Sequence, residues 1–223
     1  MVKNLEINPS ILSADFSRLG DQLRDVEAAG IRMLHVDVMD RHFVPNLTFG
    51  PFVLEAIRKA GVSCDFDVHL MVDPVDALIE DFIQVGATRI SFHPDATHDL
   101  HHSMQLVKSA GCQLGIALNP DQDWDRIKPF ISEIDFILLM TVYPGFSGQA
   151  FIESVKPKIT ACRAYLDQVH PRCRIQLDGG VSVTNIRELY DLGADHVVMG
   201  SAFFAESDFK AYIQRCQIAL DSA

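Results

Sequence analysis

Two short stretches of this 223-residue sequence set an imidazole and a carboxylate two positions apart. They are Leu34-His35-Val36-Asp37-Val38-Met39-Asp40 and Phe66-Asp67-Val68-His69-Leu70-Met71. In an extended strand, residues two apart share a face. His35 therefore pairs with Asp37, and Asp67 with His69, on one side of each segment. A further carboxylate, Asp178, ends a third apolar segment and is followed by Gly179-Gly180. Two imidazoles and two carboxylates make a donor set suited to zinc, iron(II), manganese or cobalt. Calcium, which takes oxygen ligands, is disfavoured. A lone His-x-Asp is weak, because most buried His and Asp are ordinary hydrogen-bonded groups. Their joint placement at successive strand ends is what points to a metal. Asp67 fits a different role, orienting a ligand imidazole from behind. His93 closes another strand, with an outer-partner and a purely structural reading both open. His98, His101 and His102 lie in a polar stretch and read as solvated surface.

A second group of residues reads as an anion site. It comprises Pro144-Gly145-Phe146-Ser147-Gly148-Gln149, then Gly179-Gly180, then Gly200-Ser201. Glycine lets backbone N–H groups approach an anion closely. None of these turns carries Lys or Arg, so N–H groups and the Ser147 and Ser201 hydroxyls would have to meet a phosphate. Each turn alone reads equally well as a tight bend. Met39, Met71 and Met140 also follow strand ends; methionine there is usually core filling, and an apolar lining near a reacting carbon is the alternative.

Stepping outward, the chain repeats one theme, in which an amphipathic segment ends at glycine and an apolar strand follows. Gly30, Gly61, Gly86, Gly111 and Gly193 mark the helix ends, where a left-handed residue commonly closes a helix. The pattern predicts strands over 7–10, 33–38, 64–70, 89–92, 114–118, 136–140, 174–177 and 196–198. Helices are expected over 15–29, 51–59, 75–85, 100–109, 124–131, 152–169, 184–192 and 209–220. Strict alternation implies parallel strands with crossover helices. Eight of each favour a closed (β/α)8 TIM barrel over an open doubly wound sheet. No linker is visible, so residues 1–223 read as one catalytic domain. Barrel chemistry sits at the C-terminal ends of the strands, with phosphate commonly held after strands seven and eight. That is where the residues above fall.

Composition narrows the class. Hydrophobic residues make up 48%, enough for a large core, and the net charge is −11. That charge argues against nucleic acid and anionic lipid as partners. The apolar run near Phe136 is far too short to cross a membrane. Five scattered cysteines with no C-x-x-C pair and no apolar leader at the start of the chain point to the cytoplasm.

At these residues the sequence resembles the ribulose-phosphate 3-epimerase family over almost its whole length. The resemblance is carried by Pro9-Ser10-Ile11-Leu12-Ser13-Ala14-Asp15, by His35-Val36-Asp37-Val38-Met39-Asp40, and by Phe43-Val44-Pro45-Asn46. It continues through Asp67-Val68-His69-Leu70-Met71-Val72, Pro144-Gly145-Phe146-Ser147-Gly148-Gln149, Asp178-Gly179-Gly180-Val181 and Gly200-Ser201-Ala202. It implies a barrel of the ribulose-phosphate-binding type. It also implies one divalent metal cation per subunit on His35, Asp37, His69 and Asp178, with Asp37 and Asp178 as the acid–base pair. Ser10 and His69 would touch substrate oxygens. Gly145, Phe146, Ser147, Gly148, Gly179, Gly180, Gly200 and Ser201 would grip the phosphate. The implied reaction interconverts D-ribulose 5-phosphate and D-xylulose 5-phosphate, in the pentose phosphate pathway, by two-base proton transfer at C3 through an enediolate. A homo-oligomer is implied as well. Two departures are visible. Ser147 stands where the family often has glycine, and Tyr143 precedes Pro144 where Asn or Glu is common.

The chemistry explains the pair of carboxylates. Epimerisation removes a proton from one face of C3 and returns one to the other, which a single base cannot easily do. An ordinary Asp, with a pKa of about 3.9, is a weak base, so the C3 proton must be acidified. Three rivals remain. An epimerase of hexulose phosphates such as allulose 6-phosphate would use the same ligands. A metal-independent decarboxylase would want Asp-x-Lys-x-x-Asp, whereas this chain has His35-x-Asp37-x-x-Asp40 and no lysine. A non-catalytic sugar-phosphate sensor would not need both carboxylates.

Overall fold

The computed structural model describes residues 5–222; the first four residues, part of the stretch read for a leader, lie outside them. Eight parallel strands follow the chain: β1 (Glu6–Pro9), β2 (Met33–Met39), β3 (Asp65–Met71), β4 (Ala87–Phe92), β5 (Gln113–Leu118), β6 (Phe136–Met140), β7 (Arg174–Asp178) and β8 (His196–Met199). From β2 to β8 each strand hydrogen-bonds to the next in sequence, and β8 returns to β1. A parallel bridge between Ser10 and His35 joins β1 to β2 and closes the ring. This is the TIM barrel expected from the alternation.

The α-helices are α1 (Leu19–Ala28), α2 (Pro51–Lys59), α3 (Asp76–Gln84), α4 (Leu100–Ser109), α5 (Lys156–Val169), α6 (Ile186–Asp191), α7 (Ser201–Phe204) and α8 (Phe209–Asp221). Their distribution differs from the expectation: the helix expected over 152–169 begins at Lys156 after the 3-10 turn Glu153–Val155, the one over 184–192 spans Ile186–Asp191, and three larger differences stand out. The first helix begins at Leu19 because residues Ile11–Ser13 and Phe16–Arg18 form 3-10 turns, the second capped by the Asp15 carboxylate. The segment expected as a helix over 124–131 is a 3-10 stretch, Trp124–Glu133, with Pro129 inside it. Proline has no N–H to donate and its ring crowds the preceding turn. Trp124, Ile127 and Ile131 still bury the same face, so the apolar spacing was right and the backbone type was not. The short α7, headed by Gly200, was not foreseen. All five repeat glycines have left-handed φ values, from +78° at Gly111 to +110° at Gly30.

Two kinds of core result. A continuous apolar layer lies between the sheet and the helices. Inside the ring, the β5–β6 side is apolar, with Ala117, Phe136, Leu138, Met140 and Val142 packed together. A side chain at Gly115 would meet the Phe136 ring at 2.3 Å, so the small residue makes room for the large one. The rest of the interior is polar. His35, Asp67, Ser91, Gln176 and His69 are all fully buried there. Gln176 reaches from β7 across the ring to Asp67 of β3, Nε2 to Oδ2 2.5 Å. Most barrels fill this space with branched aliphatics; here it supports a polar site.

Candidate metal centre and active site

The β2–β3 register sets Asp67 beside His35 and His69 beside Asp37. Parity aims all four side chains into the ring, and register stacks them in two layers. The lower layer is an anchor: Asp67 Oδ2 accepts from His35 Nδ1 at 2.9 Å. That bond turns His35 Nε2 upward. There it lies 3.3 Å from Asp37 Oδ1 and 3.8 Å from Asp178 Oδ2. His69 Nδ1 faces the same oxygens at 3.5 and 3.6 Å. All four donor atoms fall within 4.8 Å of one another.

These separations exceed good hydrogen bonds, and both ring nitrogens are buried without a partner. Bonds of about 2.1 Å to one cation put neighbouring donors roughly 3.4 Å apart. Two orphaned nitrogens and two carboxylate oxygens at such spacings fit a divalent cation.

Electrostatics agree. Burial opposes charge on His35, yet the Asp37 and Asp67 carboxylates outweigh it and lift its pKa well above the ordinary histidine value. His69 is raised despite burial by Asp178 and Asp37. Asp37 is held far below the usual carboxylate range, because His35 and His69 together overcome its desolvation. Without a cation the two imidazoles thus tend to take up protons against two carboxylates. The remaining Asp37 oxygen, Oδ2, accepts from Ser10 Oγ at 2.5 Å. Ser10, read as a substrate contact, therefore also holds a cluster carboxylate.

Above the cluster opens a cavity of about 220 Å³, lined by Ser10, Asp37, Asp178, the three methionines and the glycine turns. Asp37 and Asp178 face it; His35 and His69 lie beneath, fully buried. Met39, Met71 and Met140 are both buried and at the cavity wall, so the two readings of the methionines coincide. The three glycine turns meet at one end of it. A side chain at Gly148 would stand 3.9 Å from Ser201 Oγ, and one at Gly180 only 2.4 Å from the Phe151 nitrogen. Gly200 heads α7, whose first N–H groups lack acceptors within the helix. Among the described residues, no Lys or Arg lines the cavity. Phe146 and Ser147 lie on its exposed outer lip.

Residues 6–204 match the ribulose-phosphate 3 epimerase family. The chain belongs to that family. It is 46% identical over 209 residues to ribulose-phosphate 3-epimerase of Serratia marcescens, covering 94% of this chain and all of that one. It is 44% identical over 219 residues to the Escherichia coli K12 protein of the same name, covering 98% and 97%. Among solved structures, 3-hexulose-6-phosphate synthase from Salmonella typhimurium superposes with a TM-score of 0.69 at 16% identity, covering 97% of this chain and 98% of that one. Orotidine 5'-phosphate decarboxylase from Pyrococcus horikoshii gives 0.65 at 13%, covering 97% and 100%. At such identities these two share the fold alone.

Within the family frame, the lysine-carboxylate rival finds no support. Asp40 does not line the cavity; it accepts from the backbone N–H groups of His42, Phe43 and Asp73. His98, His101 and His102 are exposed, as expected. Thr141 and Gln176 went unread in the sequence, and Asn46 and Gln149 were read only as members of motifs, without their contacts. Thr141 Oγ1 donates to the Gly179 carbonyl at 2.5 Å, fixing the turn after Asp178. Asn46 Nδ2 donates to the Gly145 carbonyl at 2.7 Å, so the loop after β2 reaches over to the loop after β6. Gln149 folds that loop onto itself through the Tyr143 and Phe146 carbonyls. Gln176, behind Asp67, completes the list. None of these contacts has a local signal, because each partner is distant or is backbone.

Proposed function

We propose that this chain, as one catalytic domain, interconverts D-ribulose 5-phosphate and D-xylulose 5-phosphate by moving a proton at C3. The observation that carries this is the pair of carboxylates. Asp37 from β2 and Asp178 from β7 both face the cavity and both converge on His35 and His69. His35, Asp37, His69 and Asp178 would hold one divalent cation; zinc, iron(II), manganese and cobalt all suit the set. Such a cation, when bound, supplies positive charge that acidifies the C3 proton and stabilises the enediolate.

The residues do the rest. Asp37 takes or returns the proton on one face of C3, on a carboxylate that Ser10 holds by Oδ2. Asp178 serves the other face, positioned by Thr141, whose N–H donates to the Asp178 carbonyl at 2.8 Å. Ser10 lines the cavity where substrate oxygens would approach; His69, expected to touch them as well, lies buried beneath the cavity and is left to the cation. The methionines exclude water from the reacting carbon, which favours proton transfer to carbon over loss to solvent. Gly145, Phe146, Ser147, Gly148, Gly179, Gly180, Gly200 and Ser201 receive the phosphate through N–H groups and hydroxyls, since no cationic side chain among the described residues lines the cavity. The five cysteines are unpaired and buried, which suits the reducing cytoplasm. No helix among the described residues is long and apolar enough to cross a membrane. A homo-oligomer remains part of the reading, on the family resemblance.

The test is Asp37→Asn and Asp178→Asn, each assayed with metal bound for epimerisation and for deuterium uptake at C3 from heavy water. Each should lose epimerisation by several orders of magnitude. Near-wild-type epimerisation by either one sinks the two-base reading. Turnover of allulose 6-phosphate in the same assay separates pentulose from hexulose specificity.

A further inference from the structure

His69 has two ring nitrogens with different neighbours. Nδ1 faces Asp37 and Asp178. Nε2 lies 2.9 Å from Nε2 of His93, which stands just beyond the end of β4. Both rings are fully buried. The other His93 nitrogen, Nδ1, has no partner. The His93 ring is wedged between His69, centroids 5.1 Å apart, and Phe43, 5.0 Å away.

Two imidazole nitrogens at 2.9 Å share one proton, and its owner decides what His69 can do. If His93 owns it, a neutral His69 carries its own proton on Nδ1, and its lone pair points away from the carboxylates. If His69 owns it, the Nδ1 lone pair points into the cluster beside Asp37 and Asp178.

We infer that His93 Nε2 is the hydrogen-bond acceptor that fixes His69 in its ligating tautomer, making His93 a positioning residue for the cation site. Asp67 does the same for His35 from the other side, through a carboxylate. The two ligand imidazoles are thus set by different chemistry. His35 leans on an anion, whereas His69 leans on a neutral ring. An uncharged acceptor makes His69 less electron-rich than a carboxylate would, so the cluster keeps more positive charge for the substrate. This inference rests on the cation reading of the cluster. A partner of a ligand histidine typically accounts for 10- to 100-fold in metal affinity.

The experiment compares wild type, His93→Gln and His93→Phe in cobalt affinity, read by chelator competition and by the visible absorption of bound cobalt. Phe fills the space without an acceptor; Gln keeps an acceptor oxygen near the Nε2 position. His93→Phe should bind cobalt roughly 10- to 100-fold more weakly, and His93→Gln should recover most of that loss. Equal affinity in His93→Phe and wild type would overturn the inference, leaving His93 as packing. Failure of the wild type itself to bind one cobalt per chain would overturn the cation reading and the inference with it. If the variants do not fold, nitrogen-15 NMR of the zinc-loaded wild type decides. A coupling across the hydrogen bond with the proton on His69 Nε2 supports the inference, and a proton on His93 Nε2 refutes it.

Discussion

Gly180 and Gly111 offer a matched pair for testing how the fold holds the glycine turns proposed to grip the phosphate. Both are left-handed, with φ of +66° and +78°. Replacing either with alanine costs about 1–2 kcal/mol of backbone strain. Their surroundings differ. A Cβ at Gly111 meets nothing within 4 Å; one at Gly180 lies 2.4 Å from the Phe151 nitrogen and 2.7 Å from its Cα. Ordinary contact begins near 3.4 Å, so backbone at Phe151 would have to retreat by roughly 1 Å. Phe151 follows the loop of Gly145 to Gly148, and the next residue is tied back to β6 by Ile152 N–H donating to the Thr141 carbonyl at 2.8 Å. The displacement therefore enters the Gly145 to Gly148 loop, the proposed phosphate grip, at its base. A misplacement of about 1 Å typically lowers turnover near 100-fold, about 2.7 kcal/mol of transition-state stabilisation. Steady-state kinetics with D-ribulose 5-phosphate, beside thermal melts, would read both quantities. Gly111→Ala should lose stability and keep kcat/KM. Gly180→Ala should lose stability and about two orders of magnitude in kcat/KM. If Gly180→Ala stays within threefold of Gly111→Ala in kcat/KM, the close packing of Gly180 on Phe151 does not hold the Gly145 to Gly148 loop.

Two further expectations follow from the site. His35 and His69 have raised pKa values in the metal-free cluster, so their contribution to stability is complete below the ordinary histidine value of about 6.5. It is lost as pH rises through the lifted folded-state values. Asp37 and Asp67 are depressed; their contribution is present above about 3.9 and lost as pH falls through the folded-state values. Metal-free protein should therefore melt at lower temperature in alkaline buffer, while metal-loaded protein should not share that decline, and cation binding should release protons measurable by calorimetry in buffers of different ionisation enthalpy. A metal-free melting temperature that climbs steadily with pH would contradict the assignment. Asn46→Ala removes the bond to the Gly145 carbonyl, worth about 1 kcal/mol of stability, so the melting temperature should fall by about 2–4 °C and KM should rise; an unchanged KM would show that the loop after β2 does not support the Gly145 to Gly148 loop.

Much of this protein is settled by local pattern. Alternation of apolar strands and glycine-ended amphipathic segments determined the barrel, because a parallel strand buried on both faces and a crossover helix leave distinct periodicities. Strand parity alone put His35 with Asp37 and Asp67 with His69 on one face. Pro129 could have warned that residues 124–133 would not form an α-helix, since its missing N–H is a purely local fact. What parity cannot say is which atom meets which. Register stacked Asp67 under His35 and turned Asp37 toward His69. Only ring closure brought Asp178 from β7 to face them, with Gln176 reaching across to Asp67. The contact of His69 with His93, and of Asn46 with Gly145 across 99 residues of chain, carry no sequence signal, because hydrogen bonds between distant residues depend on positions that only the folded backbone supplies. The sequence by itself determined which chemical groups this protein owns and which face of each strand bears them. The tertiary structure decided which nitrogen, oxygen and N–H each one turns toward the cavity.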